Sequence, residues 1–315
     1  MLAIAYSASI GGIATLIGTP PNLVMAGIVS QVYGYEISFL EWIVFGLPVS
    51  MLLLAICWVY LTRYAFTLKQ DKFPDGGEEI IKLKNELGVI SYEQKIVGLV
   101  FISVGFCWIT RSFLLQKIFP ALDDAIIAII FAMILFIINA KSKNDKILEW
   151  KEAVKIPWGI LLLFGGGMSL AKAFDVSGLA IWIGNQITAF GNFDLFLFLI
   201  LLVTAINFLT EVTSNVATTA MLLPVIAYIA LELDIHPFIL MTAAAVAASC
   251  AFMLPVATPP NAIVFGSGYL RIPDMVKKGF LLNIISILII VLMVYYLLPV
   301  VWDIDKDVFP KEFLD

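Results

Sequence analysis

Gly18-Thr19-Pro20-Pro21-Asn22 and Ala257-Thr258-Pro259-Pro260-Asn261 are two copies of one phrase, offset by 239 positions, each set inside a long apolar segment. A proline pair removes amide donors and crowds the preceding turn, so it interrupts a helix. In hydrocarbon the freed carbonyls and amides find no partner, and such a break persists only where the open backbone lines a polar cavity or holds an ion. Two breaks at corresponding places in two halves of a chain point to a binding site at the centre of a membrane carrier.

The surroundings of the two phrases support a membrane setting. Of 315 residues 61% are hydrophobic and 14% charged, with a mean hydropathy of +1.00. The tracts 42–62, 96–109, 125–138, 157–171, 195–209 and 280–301 are almost free of charge, and several approach the ~20 residues that cross a bilayer core. They lack the polar face that a soluble amphipathic helix shows every third or fourth position. The fold class expected is an all-α polytopic membrane protein. An acidic balance without basic clusters excludes nucleic acid as a partner. Cys57, Cys107 and Cys250 stand singly in apolar stretches and read as packing residues. No charged segment followed by a short apolar core opens the chain, so no cleavable leader is expected. One histidine and the lack of clustered acids or cysteines in the spans argue against an enzyme.

The spacing predicts spans over 2–32, broken at 18–22; 42–65; 96–114; 121–139; 157–184; a bent segment 195–228; 237–268, broken at 257–261; and 280–301. The connections 66–95, 140–156 and 269–279 carry most of the 19 Lys and Arg residues, which the positive-inside rule assigns to the cytoplasm. Alternating spans then put residues 302–315 outside. That assignment obliges 195–228 to enter and leave on one face. Its middle, Thr210-Glu211-Val212-Thr213-Ser214-Asn215, is too polar for a lipid-facing helix and reads as the tip of a re-entrant hairpin.

With this topology the two broken segments, 1–32 and that within 157–301, run in opposite directions, as inverted repeats. The first repeat lacks a hairpin of its own: by symmetry the tip equivalent to Ser214 would precede Met1. The chain is therefore expected to be the C-terminal part of a longer carrier, with 42–139 as scaffold helices.

Hydroxyls at Thr210, Thr213, Ser214, Thr218 and Thr219 and the carboxamide of Asn215 are hard oxygen donors of the kind alkali cations prefer. Half-helices starting after each break turn their N-terminal amides toward an anion. No Arg or Lys stands at either break, so bound Na⁺ would supply the positive charge and thereby couple the two solutes.

The stretches Ser7 to Asn22, Thr213 to Thr219 and Ala257 to Asn261 closely resemble the divalent-anion/sodium symporter family, and the resemblance runs over the whole chain. It implies a Na⁺-coupled symporter of dicarboxylates, citrate or sulfate, working as a homodimer in the lipid bilayer, with Na⁺ as coupling ion and no cofactor. A C4 dicarboxylate is the leading substrate; sulfate, citrate, an exchange mode and a non-transporting truncated subunit are the alternatives. The family carries a Ser-Asn-Thr triplet at each hairpin tip. Ser214 and Asn215 match the second triplet, whereas Val216 replaces its threonine and removes a hydroxyl. The resemblance implies an anion wall of Ser214, Asn215, Val216, Thr258 and Pro259, joined by Thr19 and Pro20. It implies a Na⁺ site of Thr210, Thr213, Asn215 and Ala257, and a carbonyl of Gly18 in a second.

Other residues carry two readings each. Glu211, an intramembrane acid, is a functional candidate by default, but a structural acid bonded to backbone amides is the favoured reading. Lys172 and Asp175 read as a local ion pair, Gly165-Gly166-Gly167 as either hinge or close packing, Asn207 as cap or part of the polar hairpin, and His236 as a loop histidine rather than a proton sensor.

Overall fold

The computed structural model describes residues 1–66, 76–142, 145–156, 158–179, 182, 186 and 194–313. Every extended element among them is helical, with a single β-bridge between Asn139 and Lys146. Among the described residues five helices are long and apolar enough to cross a membrane: Phe39–Ala65, Tyr92–Ile118, Leu195–Val212, Asn215–Glu232 and Ile272–Val301. The protein is an integral membrane protein of all-α class.

Two compact units form. The larger holds residues 1–37, 41–65 and 159–315. Its first elements are α1 (Leu2–Ile13) and α2 (Pro20–Tyr33), the two halves of the first broken segment. The helix restarts at Pro20 rather than being interrupted there, which moves the predicted break from 18–22 to 14–19. The reason is local: the first turn of a helix needs no amide donor, so a proline pair that ends one helix is well suited to begin the next. Gly34, with φ +64°, closes α2, its amide bonding the Ser30 carbonyl at 3.0 Å.

α3 (Phe39–Ala65) follows and buries Trp42, Phe45, Val49 and Leu53. Its Trp42 Nε1 donates to the Ile13 carbonyl at 3.0 Å and its Ser50 hydroxyl to that of Ile10 at 2.9 Å. Two carbonyls freed at the end of α1 are thus satisfied. Because these bonds are made, residues 41–65 belong with the broken helices, and the stretch read as one scaffold over 42–139 is divided between the units.

The smaller unit comprises residues 38–40 and 66–158. Within the connection 66–95 lies a helix, α4 (Gly76–Glu86); residues 67–75 of that connection fall outside the described residues. α5 (Tyr92–Ile118) starts in a reciprocal cap between Ser91 and Gln94, four residues before the predicted span. α6 (Asp124–Ile137) is capped by the Asp123 carboxylate on the Ile126 amide at 2.6 Å. Arg111 pairs with Asp124 at 2.9 Å, and the Trp108 indole donates to the Asp124 carbonyl at 3.0 Å, tying α5 to α6. A short turn, α7 (Trp150–Ala153), precedes α8 (Trp158–Ser177), and the end of the segment expected over 157–184 falls mostly outside the described residues.

The remaining helices of the larger unit hold its centre. α9 (Leu195–Val212) and α10 (Asn215–Glu232) form a hairpin turning at Thr213 and Ser214. α11 (Pro237–Ser249) is buried at every residue, and its run Ala243 to Ala248 is small enough to admit close neighbours. Residues 250–258 are unwound, and α12 (Pro259–Gly266) restarts on its own proline pair. α13 (Ile272–Val301) begins eight residues before the predicted 280, capped after Arg271, with Pro273 in the first turn and Asp274 paired to Arg271 at 3.0 Å. The basic connection before it is correspondingly shorter than 269–279.

The packing of the halves is crosswise: α1 lies along α12, while α2 lies along α11. First half against second half is the pairing that oppositely directed segments would make.

Gly279 of α13 touches the second break. A Cβ built there falls 2.2 Å from the Phe252 carbonyl oxygen and 2.4 Å from its carbon, against backbone that cannot swing aside. Gly279→Ala is expected to cost about 1–3 kcal/mol by overpacking. A melting temperature in detergent lowered by several degrees is the expected result; an unchanged one would show that the break gives way freely.

Candidate functional site

α9 carries polar residues at 204, 207, 210 and 211 in a largely apolar helix, and the last three are buried. These three are sewn to the unwound segment of the second break. Asn207 Nδ2 donates to the Cys250 carbonyl at 2.6 Å, and the Thr210 hydroxyl reaches the Ala248 carbonyl at 3.2 Å. Glu211 accepts from the amides of Phe252 at 2.7 Å, Met253 at 2.9 Å and Leu254 at 2.9 Å, and from Asn283 Nδ2 at 2.7 Å. Three successive amides that the break removed from a helix thereby find one carboxylate. The structural reading of Glu211 holds, and Asn207 shares its work.

The two breaks are built alike. Asn22 Nδ2 donates to the Thr15 carbonyl at 3.0 Å, and Asn261 Nδ2 to the Leu254 carbonyl at 3.1 Å, each seven residues back. Asn261 also reaches the Ala251 carbonyl at 3.0 Å. Thr19 (φ −144°, ψ 141°) and Thr258 (φ −136°, ψ 149°) stand in the same extended conformation immediately before their helices. The last residue of each T-P-P-N phrase therefore closes its own loop. At the first break the chain folds tightly, for a Cβ on Gly18 would lie 2.3 Å from the Gly12 carbonyl oxygen.

Between the breaks and the hairpin tip lies a cavity of about 390 Å³, within the ~300–1,000 Å³ range of small-molecule sites. Its lining includes every residue expected in the anion wall: Ser214, Asn215, Val216, Thr258, Pro259, Thr19 and Pro20. Three helices, α2, α10 and α12, begin at this cavity, their preceding residues Thr19, Ser214 and Thr258 all on its wall. Three positive dipole ends therefore converge, while free N-terminal amides come from the α10 start alone, because the expected amides of α2 and α12 are replaced by proline pairs that carry no N–H. No charged side chain is among the lining residues.

Of the residues expected to hold Na⁺, Gly18, Ala257 and Asn215 line the same cavity. Thr210 meets Asn215 through a 2.7 Å bond to Oδ1. Thr213 lies apart from that pair, its hydroxyl donating to the Leu209 carbonyl at 2.8 Å and lying 2.6 Å from the Thr218 hydroxyl. All these donors are oxygens without formal charge, suited to a hard monovalent cation.

Residues missed by sequence reading are Ala8, Ser9, Gly12 and Ser249, from the halves before each break. The 239-residue offset sets Ser9 over Ala248 and Ser249 over Ile10, so the repeat that flagged the phrases gave no signal for either serine.

Other sequence candidates resolve as packing. His236 caps α11 through Nδ1 and the Phe238 amide, and burial holds its imidazole neutral with a pKa lowered to about 4, too low for sensing near neutrality. The chain end 302–315 is expected as an extracytoplasmic tail, a sidedness separate from its packing. Residues 302–313 fold back, with the Phe309 amide on Asp234 at 3.1 Å and Phe313 stacked on Tyr33 at 4.6 Å. Helix α8 runs unbroken through Gly165-Gly166-Gly167, and a Cβ on Gly167 would strike Ala220 at 2.6 Å, which supports packing over a hinge. The side chain of Asp175, and with it the pair with Lys172, lies outside the described residues.

Comparison with known proteins adds the family. Residues 1–302 match the one described as the sodium:sulfate symporter transmembrane region. The sodium-dependent dicarboxylate transporter SdcS of Staphylococcus aureus strain USA300 is 47% identical over 311 residues, covering 97% of this chain and 59% of the relative. SdcS of strain MRSA252 is likewise 47% identical, and that of strain MSSA476 46%, with the same coverage. The chain thus spans about three fifths of the length of these relatives. Two T-P-P-N breaks, a hairpin tip between them and a match over residues 1–302 agree: the chain belongs to the sodium:sulfate symporter family.

Proposed function

We propose that the protein takes part in Na⁺-coupled uptake of a small divalent anion, with a C4 dicarboxylate such as succinate, malate or fumarate as the leading substrate. The observation that carries this reading is the convergence of α2, α10 and α12 on a cavity without charged side chains. The amides at the α10 start, the wall hydroxyls and three helix dipole ends suit carboxylate oxygens, yet two negative charges in a site with no Lys or Arg require compensation. Na⁺ held by Thr210, Thr213, Asn215 and Ala257, and by the Gly18 carbonyl, supplies it. Neither solute is then favoured without the other, which is the physical content of coupling. The relatives' description as sodium-dependent dicarboxylate transporters favours a dicarboxylate over sulfate or citrate.

Alternating access would carry the hairpin and the second broken helix, which the Glu211, Asn207 and Thr210 bonds hold together, and the first broken helix packed against them, as a body. The basic connections around 66–95, 140–156 and 269–279 face the cytoplasm in this reading, the chain end 302–315 faces outward, and two copies associate. Proteoliposomes holding the protein are expected to accumulate labelled succinate only under an inward Na⁺ gradient. Uptake that ignores Na⁺, or competition by sulfate but not by fumarate, would overturn coupling or substrate class respectively.

A further inference from the structure

Thr19 and Thr258 occupy equivalent places before α2 and α12, but their hydroxyls are supported differently. The Thr258 oxygen accepts the Asn261 amide at 3.3 Å, an N-cap bond that occupies a lone pair from behind and leaves its own hydrogen for the cavity. Thr19 makes no such bond; the Asn22 amide goes to the Thr19 backbone carbonyl at 3.2 Å instead. What stands behind the Thr19 oxygen is Ser249, from the last turn of α11 in the other repeat, at 3.3 Å. Ser249 is 2% exposed, lies on the cavity wall, and has the Ala245 carbonyl as a second partner at 3.3 Å.

We propose that Ser249 is a positioning residue for the anion site, giving Thr19 across the repeat interface the donor that Asn261 gives Thr258 within its own helix. The inference rests on the reading of the cavity as an anion site. Each hydroxyl has one hydrogen. With the cavity free of anion, Ser249 donates to the Ala245 carbonyl and Thr19 to the Ser249 oxygen. When an anionic oxygen arrives, the Thr19 hydrogen turns to it and the Ser249 hydrogen turns from Ala245 to Thr19. Both rotations are about single C–O bonds and transfer no proton. Donation into Thr19 polarises its own O–H, so the chain Ser249 to Thr19 to anion is stronger than an isolated threonine contact. The arrangement also makes the anion's hold on the first broken helix depend on a residue of the second.

The test is a double-mutant cycle on Na⁺-driven succinate uptake. Ser249→Ala is expected to raise the KM for succinate about five- to tenfold while the maximal rate stays within about twofold, and Ser249→Thr, which keeps the hydroxyl, should restore the KM. In a Thr19→Val background the further change Ser249→Ala should alter KM less than twofold, since the pair acts as a unit. An unchanged KM in Ser249→Ala, or an equal rise with and without the Thr19 hydroxyl, overturns the proposal while leaving the transport reading intact. Absence of Na⁺-driven uptake by the unaltered protein instead overturns the transport reading, and the proposal with it.

Discussion

Glu211→Leu is expected to yield a protein that no longer survives extraction as a single species. The substitution keeps the bulk of the side chain but withdraws both oxygens from the amides of Phe252, Met253 and Leu254 and from Asn283. Glu211 is 2% exposed, so water cannot take the acceptor's place. Each buried donor left unmade costs about 1–3 kcal/mol, and the whole set is comparable with the ~5–15 kcal/mol that holds a typical protein folded. Phe252 retains a second acceptor, Asn283 Oδ1 at 3.2 Å, which softens the loss at one position only. Glu211→Gln sharpens the test. An amide can keep one oxygen for the three donors at Oε1, but its NH₂ then opposes the Leu254 amide, donor against donor. Size-exclusion profiles and melting curves should rank the unaltered protein above Glu211→Gln, and that above Glu211→Leu. Equal melting temperatures would mean that the break does not depend on the carboxylate.

Asn215→Ala is expected to reduce Na⁺-driven succinate uptake at least 100-fold while leaving the fold in place. The lost Oδ1 is the atom that takes the Thr210 hydrogen at 2.7 Å, on the wall of the cavity. A hundredfold corresponds to about 2.7 kcal/mol, the order expected when one residue serves both the cation and the anion. Thr210 can then turn its hydrogen to the Ala248 carbonyl 3.2 Å away, and the α10 start keeps its backbone, so melting should change little. Uptake within twofold of the unaltered protein would refute the placement of the site.

The parts of this molecule legible in its sequence were those written in chemically extreme residues. A proline pair in an apolar tract announces an interruption, and Thr210 to Asn215 announces a turn that lipid cannot face. Those two signals marked the two breaks and the hairpin. Less legible was the exact register of each break, because proline ends one helix and starts another with equal ease; only the hydrogen bonds of residues 14–19 and 250–258 show which. The allegiance of α3 depended on Trp42 and Ser50 meeting two carbonyls of α1, contacts between side chain and backbone that no periodicity encodes. Ser249 was overlooked for a related reason. A serine near the end of an alanine-rich helix is unremarkable until its neighbour from 230 residues away is seen.

The cavity wall has one more consequence. Serine, threonine, asparagine, proline, glycine, alanine and valine make up its lining, and none of these ionises in water. Acidity therefore has no grip on the wall. On the proposed reading, the pH dependence of anion binding at this wall follows the solute, whose own protonation decides how much of it is presented as the doubly charged form.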